Sequence, residues 1–184
     1  MPFFKTDIAD LLVFEPRVFE DSRGYFFESY NEKVFEEQGL SMRFVQDNQS
    51  SSSYGVIRGL HYQINPHAQT KLVRVLSGRI LDVALDVRNG SPSYGMHFSI
   101  ELSAENKKQL LVPKGFAHGF SVLSERAEVL YKCDGFYSKE SEGGIRFDDP
   151  ALQIDWKIPV EKAVISDKDK VLPFLQNTKT NFVY

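Results

Sequence analysis

The chain has 184 residues, 42% of them hydrophobic, which is enough for one well-buried domain and too few for two ordinary ones. Lys and Arg total 22 against 25 Asp and Glu, a formal charge of -3 with a pI near 5.8 and no block of like charges, which disfavours a nucleic-acid-binding face. The single cysteine, Cys133, excludes an intramolecular disulfide and a cysteine zinc cluster, and nowhere do the roughly 18 apolar residues of a membrane span run together.

In chain order, the segment MPFFKTDIADLL is interrupted by Asp7 and Asp10 and lacks a small-residue cleavage site, so it does not read as a signal peptide and a cytoplasmic setting is expected. Ser29 and Glu32 have capping-box spacing ahead of Val34 and Phe35, and Gly39 can take the left-handed stop, which predicts a helix over 29–39. Ser50 to Ser53 reads as a short polar loop. Leu72 to Leu76 and the stretch 80–88 are predicted strands joined as a hairpin by Ser77-Gly78. In the second of them Val83, Leu85 and Val87 alternate with Asp82, Ala84 and Asp86, the pattern of a strand with one buried face.

Phe98, Ile100 and Leu102 alternate again, and a polar turn from Ser103 to Asn106 leads into the apolar run Leu110 to Val112. A further pair flanks Ser124 to Arg126, with Phe120 and Val122 before the turn and Ala127, Val129, Tyr131 and Cys133 after it. A second, weaker helix is predicted near 160–175, and a tail runs from about 176 to 184. Strands at this spacing, with no repeat and no flexible linker, predict one mainly β domain over 1–184, a jelly roll with a few short helices.

Two segments concentrate polar groups beside glycine: FVQDNQSSSSYGVIRGLHYQ at 44–63, followed by Lys71, and PKGFAHGF at 113–120. They resemble the paired motifs of the cupin superfamily, whose fold is a double-stranded antiparallel jelly-roll barrel. Gly55, His61, Lys71 and Gly78 follow the first frame; Pro113, Gly115 and His118 follow the second. Metal-binding cupins carry a second histidine where this chain has Gln63 and a glutamate where it has Lys71. An ammonium repels a cation, so only His61 and His118 remain of the usual ligand set, and no metal is expected.

The site reads instead as one built to meet an anion or oxyanion. His61 has a side chain whose ordinary pKa lies near neutrality and can take a proton. Lys71 suits a developing enolate oxygen. Tyr131 alternates with Val129 and Cys133 and, facing into the barrel, returns a proton from the opposite side. Such a set fits inversion at a carbon beside a ketone, the oxyanion contact being worth about 10² to 10³ in rate and a positioned acid or base about 10² to 10⁴.

Longer motifs narrow the resemblance. DSRGYFFESY at 21–30, FVQDN at 44–48, RGLHYQ at 58–63, KLVRVLSG at 71–78, LSAEN at 102–106, PKGFAHGF at 113–120 and SDKD at 166–169 together resemble the dTDP-4-dehydrorhamnose 3,5-epimerase family, over roughly residues 3 to 175. The resemblance implies that His61 is the base, oriented by Asp169, that Tyr131 is the acid and that Lys71 stabilises the enolate. It assigns substrate binding to Arg23, Phe26, Glu28, Gln46, Asp47, Asn48, Arg58, Lys71, His118, Glu142 and Lys168, with the guanidinium groups suited to diphosphate. It matches Tyr137 to a ring that stacks on thymine, although Phe136 offers a second ring beside it.

The implied reaction is inversion of C3 and C5 of dTDP-4-dehydro-6-deoxy-D-glucose, giving dTDP-4-dehydro-β-L-rhamnose for L-rhamnose synthesis, without a cofactor. A single-site epimerase acting on C3 or C5 alone shares the same base and is the alternative; a metal-dependent oxygenase and a silent nucleotide-sugar binder are readings from other classes. The family is dimeric, and Phe3, Phe4, Phe14, Phe19, Phe26 and Phe27 offer much apolar surface for one small domain, so a homodimer is expected, with Arg23 and Glu28 reaching the neighbour's site. His67, His97 and Trp156 read as structural, Asp148-Asp149-Pro150 as a turn, and Arg88 carries no functional assignment.

Overall fold

Period-two segments dominate the computed structural model of the chain, which describes residues 2–184. Four short strands come first, β1 (Phe3–Lys5), β2 (Leu12–Phe14), β3 (Phe19–Asp21) and β4 (Gly24–Phe26), followed by helix α1 (Glu32–Glu36). The body comprises β5 (Gln46–Ser53), β6 (Val56–Gln63), β7 (Lys71–Ser77), β8 (Arg79–Asp86), β9 (His97–Ser103), β10 (Gln109–Val112), β11 (Phe116–Val122) and β12 (Arg126–Cys133). Then come β13 (Glu142–Gly144), β14 (Val164–Ile165) and α2 (Asp167–Lys170).

The strands form two facing sheets. One runs β1-β2-β10-β7-β12-β5 and the other β13-β6-β11-β8-β9, with β14 added in parallel beside β6; β3 and β4 pair only with each other. From β5 to β12 each strand crosses to the opposite sheet from its predecessor, except that β8 and β9 pair directly. This is the expected jelly roll, and it corrects the predicted hairpin at Ser77-Gly78 and the polar loop expected at 50–53, which is the end of β5. β7 and β8 lie in different sheets, as do β11 and β12. Ser77-Gly78 is therefore a crossing point, where Gly78 has φ +75° and a Cβ would meet the Arg126 carbonyl oxygen at 2.1 Å.

Three apolar layers follow from this arrangement. Between the sheets, Val73, Leu110 and Val129 of the first meet Ile80, Phe120 and Val122 of the second. Outside the second sheet, Leu60, Val83, Leu85, Ile145, Trp156 and Phe182 form another cluster, so the tail covers that face. Outside the first sheet, Phe14, Phe35, Leu72 and Leu111 pack under α1 and the N-terminal strands. β8 is consequently buried on both faces rather than one. Val83 and Leu85 face the outer cluster, and the alternate residues, Asp82 among them, face the barrel interior.

Both predicted helices are shorter than expected. α1 begins at an Asn31 cap whose side chain accepts from the Lys33 N–H, not at Ser29, and Gly39 has φ +77° just beyond its end. The stretch 160–175 holds a 3₁₀ turn at Val160–Lys162, then β14, then α2 capped by Ser166. Among the described residues no helix is long and apolar enough to cross a membrane.

Candidate active site

Strand register brings chemistry to one end of the barrel. His61 pairs with His118, Tyr131 with Asn48, Cys133 with both Gln46 and Lys71, and Glu142 with Gln63. An open cavity of about 310 Å³ lies there, lined by Gln46, Asn48, His61, Tyr62, Gln63, Gln69, Lys71, Tyr131, Tyr137 and Glu142. His61 stands on the second sheet, while Lys71 and Tyr131 stand on the first, so the three groups meet across the barrel.

A bulge sets His61 into place. Phe120 pairs with Arg58 and His118 with His61, so two steps along β11 span three along β6. Arg58 and His61 thereby share the interior face although their spacing is odd. Gly59 sits in the bulge with φ +116°, its Cα so close to β11 that a Cβ would meet Gly119 Cα at 2.6 Å and the His118 carbonyl oxygen at 2.7 Å.

His61 Nε2 is 2.7 Å from Asp169 Oδ1. The carboxylate also accepts the Gly59 N–H at 3.2 Å on its other oxygen, and the first turn of α2 holds the Asp169 backbone through Ser166 Oγ at 3.1 Å. Burial pushes the Asp169 carboxyl up, but the His61 bond and charge and the Gly59 N–H outweigh it and hold it below the usual carboxylate range. The ionised carboxylate takes the Nε2–H, which leaves Nδ1 of a neutral ring as the free lone pair.

Lys71 has no hydrogen bond or ion pair among the described residues. Burial pulls its ammonium pKa down, against the attraction of Cys133, Asp82 and Glu142. Its Nζ lies 5.9 Å from the centroid of the Tyr131 ring. Burial raises the Tyr131 phenol, Cys133 adds to that, and Arg58 opposes it, so the phenol is protonated at neutral pH.

The rim is tied by polar bonds. Glu142 accepts from Lys168 Nζ at 2.5 Å and from the Tyr137 hydroxyl at 3.1 Å, and the Tyr137 N–H donates to Gln46 Oε1 at 3.0 Å. Gln63, where metal-binding cupins carry a ligand, holds this loop: its amide donates to the His67 carbonyl at 2.7 Å and accepts the Ser138 N–H at 2.6 Å. Of the two neighbouring rings, Tyr137 lines the cavity, while Phe136 is 68% exposed outside it.

Six other expected binding residues do not line this cavity, and each has a structural reason. Asp47 falls on the opposite face of β5 from Gln46 and Asn48 and pairs with Lys132 at 3.0 Å. Arg23 pairs with Asp21 on the β3–β4 hairpin, where Phe26 is 67% exposed, and Glu28 lines a separate groove with Phe14 and Phe19. His118 lies behind the cavity wall, buried, with Nε2 2.8 Å from Asp82 Oδ1. Arg58 is exposed beside the site and donates from Nε to Ser52 Oγ at 3.1 Å. The lining residues Gln69 and Tyr62 and the buried Asp82 were not singled out by sequence; an aspartate inside an otherwise apolar alternating strand is the signal that marks Asp82.

The chain matches known proteins over nearly its whole length. The family model described as dTDP-4-dehydrorhamnose 3,5-epimerase matches residues 5–177. A Shigella flexneri dTDP-4-dehydrorhamnose 3,5-epimerase is 55% identical over 170 residues, 92% of this chain and 93% of that protein. The structure of the Elizabethkingia anophelis enzyme of the same name superposes with a TM-score of 0.92 at 56% identity, covering 96% of this chain and 97% of that one. A Legionella pneumophila dTDP-6-deoxy-D-glucose-3,5-epimerase solved in complex with dTDP-4-keto-L-rhamnose gives a TM-score of 0.92 at 47% identity, covering 96% and 94%. The double-sheet barrel, the two motif segments at one end of it and these likenesses together establish that the chain belongs to the dTDP-4-dehydrorhamnose 3,5-epimerase family.

Proposed function

We propose that the protein is a dTDP-4-dehydrorhamnose 3,5-epimerase that works through the His61–Asp169 pair, Lys71 and Tyr131. The observation that carries this reading is geometric: a base with a fixed tautomer on one sheet opposes a cation and a phenol on the other, around one open cavity. The substrate is dTDP-4-dehydro-6-deoxy-D-glucose, whose C3 and C5 both flank the C4 ketone and are therefore acidic. His61 Nδ1 takes the proton from one of these carbons. The C–H electron pair becomes the enolate double bond, and the ketone π pair moves onto O4, where the Lys71 ammonium meets the charge. The Tyr131 phenol then delivers its proton to the other face of that carbon, which inverts it. Solvent resets the imidazolium and the phenolate, and the cycle repeats at the second carbon.

Asp169 keeps Nε2 protonated and supports the imidazolium that forms. Gln46, Asn48, Glu142 and Tyr137 line the cavity and are suited to the sugar and thymine, and Arg58 and Lys168 to the diphosphate. Arg23, Phe26 and Glu28 lie outside their own chain's cavity, and they serve the site of a second copy in a homodimer. Light scattering at micromolar concentration is expected to show that dimer; a monomer overturns this assignment.

The deciding experiment is NMR of the substrate with the enzyme in deuterated buffer. Deuterium at both C3 and C5, with the L-rhamno product trapped by a reductase and NADPH, is the expected result. Exchange at one carbon only would make the protein a single-site epimerase, and no exchange at either overturns the reading.

A further inference from the structure

Beneath the cavity lies a buried carboxylate that the mechanism above leaves unused. Asp82 is fully buried on the interior face of β8. Oδ1 accepts from His118 Nε2 at 2.8 Å, but Oδ2 has no hydrogen-bond partner. An ionised carboxylate removed from water with half its accepting capacity unfilled is costly unless a cation stands near it. Across the barrel from it, Lys71 lines the cavity from the opposite sheet, has no hydrogen bond or ion pair among the described residues and is attracted by the Asp82 charge. The other titratable groups around that ammonium are Cys133 and Tyr131 on β12, Glu142 on β13 and His61 on β6. Cys133 is a buried thiol pushed up by burial, Tyr131 a protonated phenol, and Glu142 is already engaged by Lys168 and Tyr137. Among the described residues, Asp82 is thus the one wholly buried carboxylate acting on Lys71 with an oxygen to spare.

We propose that Asp82 is a positioning residue for epimerisation: its free Oδ2 is the counter-charge that keeps the Lys71 ammonium protonated and aimed into the cavity, while Oδ1 fixes the His118 ring behind it. The inference rests on the role given to Lys71 above. Asp82 never touches the substrate and acts through the lysine. Leaving Oδ2 without a direct bond serves that role, because a tight ion pair would hold Lys71 away from the enolate oxygen.

Asp82→Asn isolates the charge, since the amide oxygen still accepts the His118 N–H. Two readouts are needed. The first requires no substrate: the pH titration of the Lys71 side chain followed by ¹³C NMR at Cε in the ligand-free protein. The variant is expected to lose the Lys71 proton at a pH lower by about one unit. The second is kinetic. The alkaline limb of kcat/KM is expected to move down by the same interval and kcat to fall about tenfold or more, with KM within a few-fold of wild type. In a double-mutant cycle, Asp82→Asn is expected to add nothing to the loss caused by Lys71→Met.

A lowered melting temperature with an unmoved Lys71 titration, or additive losses in the cycle, would overturn the proposal and leave Asp82 a structural residue. If Asp82→Asn does not fold, the reciprocal measurement decides: Lys71→Met is expected to raise the pH at which the Asp82 carboxyl ¹³C resonance titrates, and no change overturns the pairing. Because the NMR titrations use no sugar nucleotide, they stand apart from the deuterium-exchange test of the activity.

Discussion

His61, Asp169 and Gln63 show how much rests on single side chains. Asp169 does two things at once: it fixes the His61 tautomer and accepts the Gly59 N–H inside the bulge. Asp169→Asn places an amide where a carboxylate supported the imidazolium, so kcat is expected to fall by about 10² to 10⁴ with KM little changed. Steady-state kinetics with the dTDP-keto sugar check this, and a kcat within threefold of wild type refutes it. The folded-state pKa of Asp169 is depressed, so its contribution to stability is present above the unfolded carboxylate range and is lost as pH falls through the folded value. The asparagine variant should therefore show a shallower acid limb in urea unfolding. Gln63 has a different job. Removing its side chain in Gln63→Ala leaves the Ser138 N–H and the His67 carbonyl without their partners and frees the loop that carries Tyr137. An unmet buried group costs about 1 to 3 kcal/mol, and KM is expected to rise about tenfold with kcat held within threefold.

Strand β6 and strand β8 mark where element-level reading succeeded and where it stopped. Alternation in 80–88 identified a strand correctly, but period two is the same whether the second face meets water or another core, and only the placement of β8 in a sheet covered on both faces made Asp82 and Asp86 interior residues. Sequence proximity also suggested a hairpin at Ser77-Gly78, because a glycine turn looks alike whether the chain returns to its own sheet or crosses to the facing one. His61 and Lys71 were legible from the spacing of the cupin frame, Tyr131 from strand alternation and Asp169 only through the family resemblance; Tyr62, inside a quoted motif, and Gln69, outside one, carried no signal that they line the cavity. The bulge in β6 was invisible as well, although Gly59 is what permits it. Gly59→Ala would drive a Cβ to 2.6 Å from Gly119 Cα at a φ of +116°. The expected result is destabilisation by more than about 1 kcal/mol in denaturant unfolding, together with a drop in kcat as His61 shifts in the cavity. Unchanged stability and activity would show that β6 can pair with β11 without the bulge.

At the scale of the whole molecule, the end of the barrel bearing Asp86 ties both termini to the sheets. Asp86 is fully buried, yet every donor it needs is at hand: Arg88 Nε at 3.0 Å and Nη2 at 2.8 Å, with Ser91 Oγ at 2.6 Å and Ser93 Oγ at 2.7 Å. The same guanidinium reaches Asp10 Oδ2 at 2.7 Å and the Ala9 carbonyl at 3.1 Å between β1 and β2. It also lies 4.6 Å from the Phe116 ring and 4.8 Å from that of Tyr184, at the C-terminal end. The tail therefore has a structural role: Phe182 is buried against Tyr62, and Asn181 and Thr180 bond to Asn65 and Val87. Arg88→Ala strips Asp86 of its cation while the chain keeps it out of water, and breaking a buried pair in this way costs about 3 to 5 kcal/mol. Burial raises the Asp86 carboxyl, but Arg88 and the serines outweigh it, so its folded pKa lies below the ordinary value. The stabilisation is thus fully present above the unfolded carboxylate range and is lost as pH falls through the folded value. The difference in unfolding free energy between wild type and Arg88→Ala should accordingly be large at pH 7 and shrink steadily below about pH 4. Proteolysis at neutral pH should release the tail in the variant first, because Tyr184 loses the cation it packs on; a pH-independent difference with the tail still protected would mean that the serines alone hold Asp86 and that Arg88 is only packed against it.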